Sequence, residues 1–198
     1  LTYLIKAFKE IYDRVPGAYL VMYGEGPEYS ALMHQISRLP QDMQERIYLP
    51  GIVAYQEVPV ALSIIDVFAF PSVWEGQGLA MIEAMASGKP VVASNVGGIP
   101  GTLGRDAGIL VPAKNPRLLA TAIVQLAQNL SLRERMGQIA QDRALRELSV
   151  ETMVRNYEAL YLAVMGMPGE YGDEDMTERA DLSIGAQAPP LHESGSIL

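Results

Sequence analysis

The sequence predicts a doubly wound α/β domain on a parallel sheet, and three observations carry that prediction. Five short apolar runs each end in glycine, proline or serine. Each run is continuously apolar, as strands buried on both faces of a parallel sheet require. Amphipathic segments of helical period separate the runs, the alternation that builds βαβ units.

The elements follow in order. Leu1-Thr2-Tyr3-Leu4-Ile5-Lys6-Ala7-Phe8 already has a helical pattern, so the sequence reads as beginning inside an element of a longer polypeptide. The first strand, Tyr19 to Tyr23, stops at Gly24, and a helix is predicted over 28–38. Ile47-Tyr48-Leu49 stops at Pro50-Gly51 and precedes a helix over 57–64. Val67-Phe68-Ala69-Phe70 stops at Pro71-Ser72 and precedes a helix over 78–87. Pro90-Val91-Val92-Ala93 leads to a helix over 98–104, and Gly108-Ile109-Leu110-Val111 is the last strand. Longer helices are predicted over 116–129, 131–147 and 150–165. Their starts are signalled by Asn115-Pro116, by Ser131, and by Ser149 with Thr152.

Composition sets the limits. A chain of 198 residues holds one full domain and its core. Residues 1–165 read as that domain, and 166–198 as an acidic disordered tail with few bulky apolar residues. The formal charge is −8, but seven acids and a single arginine fall after residue 165. The folded part is therefore close to neutral, which argues against a phosphate-coating face for nucleic acid. Asp173-Glu174-Asp175 in the tail reads as a solvated charge run rather than a metal site. The absence of cysteine excludes disulfides and thiolate metal sites and fits an expected cytoplasmic location. No apolar run reaches the ~18 residues of a membrane span.

Ligands on doubly wound sheets bind outside the carboxyl ends of the strands. The segment Pro71 to Ser94 occupies such a place and carries Glu75 and Glu83 in otherwise apolar surroundings. Gly76 and Gly78 lie between a strand and a helix, where backbone can approach a ligand and helix amides favour an anion. Eight helical steps would separate the two carboxylates by ~12 Å along the axis. Carboxylate pairs for glycoside hydrolysis sit about 5–9.5 Å apart. The spacing suits two grips on one elongated ligand, with a diphosphate between them and ribose hydroxyls as donors at one end. Ile82, Ala84, Met85 and Ala86 leave Glu83 little polar face to share.

These residues resemble the donor-binding signature of the retaining, group 1 (family 4) glycosyltransferases of GT-B fold. The family pattern Pro-Ser-x-x-Glu-Gly-Phe-Gly, four residues, Glu-Ala, then Gly-x-Pro-Val stands here as Pro71-Ser72-Val73-Trp74-Glu75-Gly76-Gln77-Gly78, Glu83-Ala84 and Gly88-Lys89-Pro90-Val91. The resemblance runs from about residue 1 to 165. It includes Gly24-Glu25-Gly26-Pro27, Pro50-Gly51, Asp66-Val67-Phe68, Gly97-Gly98-Ile99-Pro100 and Gly108 to Val111. It implies a Rossmann-like domain, the C-terminal nucleotide-binding half of a two-domain enzyme. That enzyme would move a sugar from a UDP- or GDP-linked donor to an acceptor hydroxyl with retention. Glu75 would face the donor sugar as the catalytic carboxylate. Gly76, Gln77 and Gly78 would hold the diphosphate beside Leu79, Glu83 would accept from the ribose, and Gly24 and Gly26 would lie near the nucleotide. No cofactor or metal is expected, because backbone dipoles and cationic side chains would neutralise the diphosphate.

Gln77 departs from the common Phe, and Gly101 stands where many relatives carry Glu. The Arg and Lys of the family, and its acceptor domain, would lie upstream of Leu1, so this piece is expected to be incompetent for transfer. Membrane association, if present, is expected to come through that missing domain. The stripe Met153, Tyr157, Leu160, Tyr161 and Val164 predicts self-association. A sugar-nucleotide epimerase of similar fold and a non-catalytic sugar-nucleotide-binding partner are the alternative functions. Gly24-x-Gly26 lacks the third glycine of a dinucleotide fingerprint. His34 reads as structural or surface, Lys89 as an exposed turn residue, and Met81 and Met85 as core. Trp74 suits pocket lining or packing equally. Ser72 and Ser94 lack the nucleophile elbow, so hydrolase chemistry is discounted.

Overall fold

A computed structural model describes residues 1–167 of the chain. The predicted tail, with Asp173-Glu174-Asp175, lies almost wholly outside the described residues. Among the described residues five parallel strands, β1 (Leu20–Tyr23), β2 (Ile47–Gly51), β3 (Phe68–Phe70), β4 (Val91–Ser94) and β5 (Gly108–Val111), form two sheets. β1 pairs with β2 through Leu20↔Ile47 and Tyr23↔Gly51, with a register irregularity between. β4 is the centre of β3-β4-β5, with Phe68↔Val91 on one side and Val91↔Gly108 on the other.

The helices are α1 (Thr2–Arg14), α2 (Tyr29–Ile36), α3 (Gln41–Gln44), α4 (Val58–Ser63), α5 (Leu79–Ala86), α6 (Ile99–Leu103), α7 (Pro116–Gln128), α8 (Leu130–Glu147) and α9 (Val150–Val164). A turn of 3-10 helix at Tyr55–Glu57 precedes α4. The caps explain the boundaries. Asn115 Oδ1 accepts the N–H of Leu118 at 3.0 Å, and Ser149 Oγ accepts that of Thr152 at 3.1 Å. The start predicted at Ser131 moves back to Asn129, whose Oδ1 accepts the N–H of Leu132 at 3.0 Å. Asparagine satisfies an orphan amide as well as serine does, and Leu130 joins the helix.

β4 shows why the fold is doubly wound. All four of its residues are buried. Alternate strand side chains point to opposite faces, and here they enter different cores. Val92 belongs to a cluster with Ile5 and Phe8 of α1, Leu20 and Met22 of β1, and Val124 of α7. Val91 and Ala93 belong to the other, with Met81 and Met85 of α5, Ile99 of α6 and Ala140 of α8. Met81 and Met85 are fully buried core residues, as predicted, each worth about 1.5–3 kcal/mol of burial. Not every strand is buried on both faces. Tyr48 on β2 is 51% exposed, on the face opposite Ile47 and Leu49, which pack in the core.

α8 fixes the ends of α5 and α6. Gln141 Nε2 donates to the Ala86 carbonyl at 3.0 Å, and Arg143 donates to the carbonyls of Thr102 and Gly101 at 2.9 and 2.8 Å. These are carbonyls that a helix end leaves without an intrahelical partner. The residues divide into two compact units, Leu1–Met153 and one beginning at Val154. Within α9 the predicted stripe of Met153, Tyr157, Leu160, Tyr161 and Val164 is exposed, and the rings of Tyr157 and Tyr161 lie 6.3 Å apart. Among the described residues no helix is long and apolar enough to cross a membrane.

Candidate functional site

β3 ends at Phe70, and the chain from Pro71 to Gly78 crosses the carboxyl end of its ladder before α5 begins. Gly78 caps α5 with φ +81° and ψ 69°, in the left-handed region. Glycine is required there twice over. An L side chain resists that conformation, and a Cβ would come within 2.9 Å of Cε1 of the Phe70 ring. With glycine at the cap, no side chain accepts from the first amides of α5. A helix start of this kind presents N–H groups to an anion.

Glu75, Gly76, Gln77, Gly78 and Leu79 are contiguous on this loop and the helix start. Glu75 is half-buried, and its Oε1 accepts the N–H of Gly76 at 3.1 Å. Gly76 and Gln77 are exposed, and Leu79 is 71% exposed. Glu83 is half-buried on α5, and its backbone carbonyl accepts from Ser87 Oγ at 2.9 Å. Trp74 is 83% exposed, so it does not serve as packing. Lys89 is half-buried and reaches back to donate to the Ser63 carbonyl at 3.0 Å, so it is more than an exposed turn residue. His34 is exposed on α2.

Gly24 and Gly26 follow the carboxyl end of β1, in the other sheet. The N–H of Gly24 donates to the Gly51 carbonyl at 2.7 Å, and the Gly26 carbonyl accepts from Tyr29 at 3.1 Å. Their bonded neighbours are thus on β2 and α2 rather than on the Glu75 loop. A concavity of about 550 Å³ lined by Pro100, Gly101, Arg105 and Leu110 holds none of the predicted site residues. It reaches Gly108, where β5 starts, away from the strand ends that bind ligands in such sheets.

Gly97 and Gly98 lie against this loop without having been singled out as site residues. The N–H of Gly98 donates to the Glu75 carbonyl at 3.2 Å. The sequence signal available was a glycine pair in the short connection between a strand and a helix.

A family profile described as "Glycosyl transferases group 1" matches residues 1–129, which contain every predicted site residue. The chain belongs to the group 1 glycosyltransferases. The chain is 29% identical over 163 residues to the N-acetyl-alpha-D-glucosaminyl L-malate synthase of Bacillus anthracis, covering 82% of this chain and 42% of that one. It is 30% identical over 157 residues to a GDP-mannose-dependent monoacylated alpha-(1-6)-phosphatidylinositol monomannoside mannosyltransferase of Corynebacterium glutamicum, covering 76% and 40%. The chain thus spans about two fifths of the length of these relatives. Among solved structures, it superposes on the C-terminal domain of the group 1 protein LpcC of Francisella tularensis with TM-score 0.69 and 25% identity, covering 75% of this chain and 79% of that one. TarM of S. aureus, solved with fondaparinux, alpha-GlcNAc-glycerol and UDP, matches with TM-score 0.71 and 25% identity over 80% of this chain and 32% of its own. The α/β architecture of the chain is therefore that of the GT-B fold, as the resemblance implied.

Proposed function

We propose that this chain supplies the donor site of a retaining hexosyltransferase that uses a UDP- or GDP-linked sugar. The carrying observation is the side-chain-free cap at Gly78, a buried residue, which gives the start of α5 no side-chain cap beside the exposed Gly76 and Gln77. The amides of Gly76, Gln77 and Gly78 bind the diphosphate and, with the α5 dipole, stabilise charge on it as the sugar leaves. Glu83 accepts from ribose hydroxyls. The Glu75 carboxylate stands near the anomeric carbon, where positive charge develops, and Gln77 offers its amide to a sugar hydroxyl. Gly24 and Gly26 form the nucleotide side of the site at the end of β1. Neutralisation of the diphosphate is assigned to amides rather than to a metal. The acceptor hydroxyl is assigned to a second domain. TarM with UDP and the GDP-mannose-dependent relative support both bases as candidates.

Calorimetric titration of the chain with UDP, GDP and ADP, beside a Glu83→Ala variant, tests this. Binding of one nucleotide that weakens by about 1–3 kcal/mol in the variant is the expected result. Equal affinity in a folded variant removes the ribose role, and silence toward all three nucleotides that persists when the upstream segment with its Arg and Lys is restored overturns the donor site.

A further inference from the structure

The connection from β4 to α6 lies directly against the loop that follows β3. A Cβ at Gly98 would overlap the carbonyl oxygen of Gly76, and one at Gly97 would overlap that of Glu75. Backbone meets backbone, so no side-chain rotation relieves either overlap. The β4–α6 connection is itself held at both ends. Ser94 is 2% exposed, the N–H of Asn95 donates to the Val111 carbonyl at 2.7 Å, and Ile99 is fully buried. Of the two sides, the loop from Trp74 to Gln77 is the more exposed.

We propose that Gly97 and Gly98 are positioning residues for the diphosphate: the anchored β4–α6 connection sets the height of the Glu75–Gly76 peptides, and so the aim of the Gly76, Gln77 and Gly78 amides. The proposal rests on the donor reading above. Gly98 isolates the effect, because its φ of −82° and ψ of −5° suit any residue. Gly98→Ala therefore adds the overlap and no backbone strain. Gly101 is the control, since a Cβ there has nothing within 4 Å.

The test titrates the full chain with UDP and GDP, and with uridine and guanosine, by NMR at a temperature where each variant keeps the wild-type circular dichroism. Gly98→Ala is expected to bind the preferred diphosphate at least about tenfold more weakly, with its nucleoside changed less than about twofold and Gly101→Ala like wild type. Unchanged diphosphate affinity in folded Gly98→Ala overturns the proposal. So do equal losses for diphosphate and nucleoside, which would mean general loosening. Wild-type silence toward both diphosphates, persisting with the upstream Arg and Lys segment restored, sinks the donor reading and this inference together, whereas retained binding in Gly98→Ala sinks this inference alone. If Gly98→Ala does not fold, wild-type amide exchange decides. Protection of the Gly98 N–H should rise when the diphosphate is added, and an unchanged rate overturns the proposal.

Discussion

The carboxylate of Glu75 accepts the N–H of the next residue, Gly76, at 3.1 Å. That amide is one of those assigned to the diphosphate, so carboxylate and phosphate compete for one donor and repel each other at close range. Glu75→Ala should therefore bind UDP or GDP more tightly than wild type, by about 0.5–1.5 kcal/mol. Calorimetry on both proteins checks it. Weaker binding by the folded variant would mean that Glu75 holds the nucleotide instead of guarding the amide.

Gly78 and Phe70 make a second prediction. Alanine at 78 would carry the left-handed penalty of ~1–2 kcal/mol and would also push the Phe70 ring. Phe70 stacks on Phe68 with ring centroids 6.1 Å apart, so the ring is not free to move without cost. Gly78→Ala should lower stability by about 2–3 kcal/mol in denaturant titration, adding an overpacking cost to the dihedral one. Gly26→Ala should be near neutral, since nothing lies within 4 Å of a Cβ there. Equal stability of the two variants would refute the double requirement at Gly78.

What could be read in the sequence follows from what is local. The apolar run Val91-Val92-Ala93 announced a strand buried on both faces, and Met81 and Met85 one turn apart announced a core-facing helix. Asn115-Pro116 gave a helix start because cap chemistry lies within three residues. Asn129 and Ser131 are both good caps, and local chemistry alone does not fix which of them starts the helix. α3 is a single turn, too short to show a period. The split into two sheets and the contact of Gly97 and Gly98 with Glu75 and Gly76 involve distant segments, so no window of sequence displays them. Glu75 to Leu79 could be proposed as a site from sequence because loop, cap and helix start are contiguous.

Gly137 sets two effects against each other. Helix interiors favour alanine over glycine by about 1 kcal/mol. In α8, however, a Cβ at 137 would overlap the carbonyl oxygen of Gly88, just past the end of α5. Neither backbone can yield without separating α8 from α5, where Gln141 holds the Ala86 carbonyl at 3.0 Å. Overpacking should win, and Gly137→Ala should lose about 1–3 kcal/mol in chemical denaturation. A stabilised variant would show that propensity dominates and that the helices part easily.

Tyr12 and Asp42 give the chain a pH signature away from the candidate site. The Tyr12 hydroxyl donates to Asp42 Oδ2 at 2.7 Å, joining α1 to α3, and the Arg46 guanidinium lies 5.1 Å from the Tyr12 ring centroid. The Tyr12 hydrogen bond holds the Asp42 carboxyl below its ordinary value. The same bond to Asp42, with desolvation second, raises the Tyr12 phenol above its own. A carboxyl lowered on folding adds stability above its unfolded value, near 3.8, which fades as pH falls through the folded value. A phenol raised on folding adds stability below its unfolded value, near 10, which fades as pH rises through the folded one. Tyr12→Phe removes both contributions. Wild type should melt above Tyr12→Phe by a small margin on a plateau between these limits, and the margin should shrink toward acid and toward alkali. Melting curves across that range check it, and a margin independent of pH would mean that the hydroxyl contributes through packing rather than through its bond to Asp42.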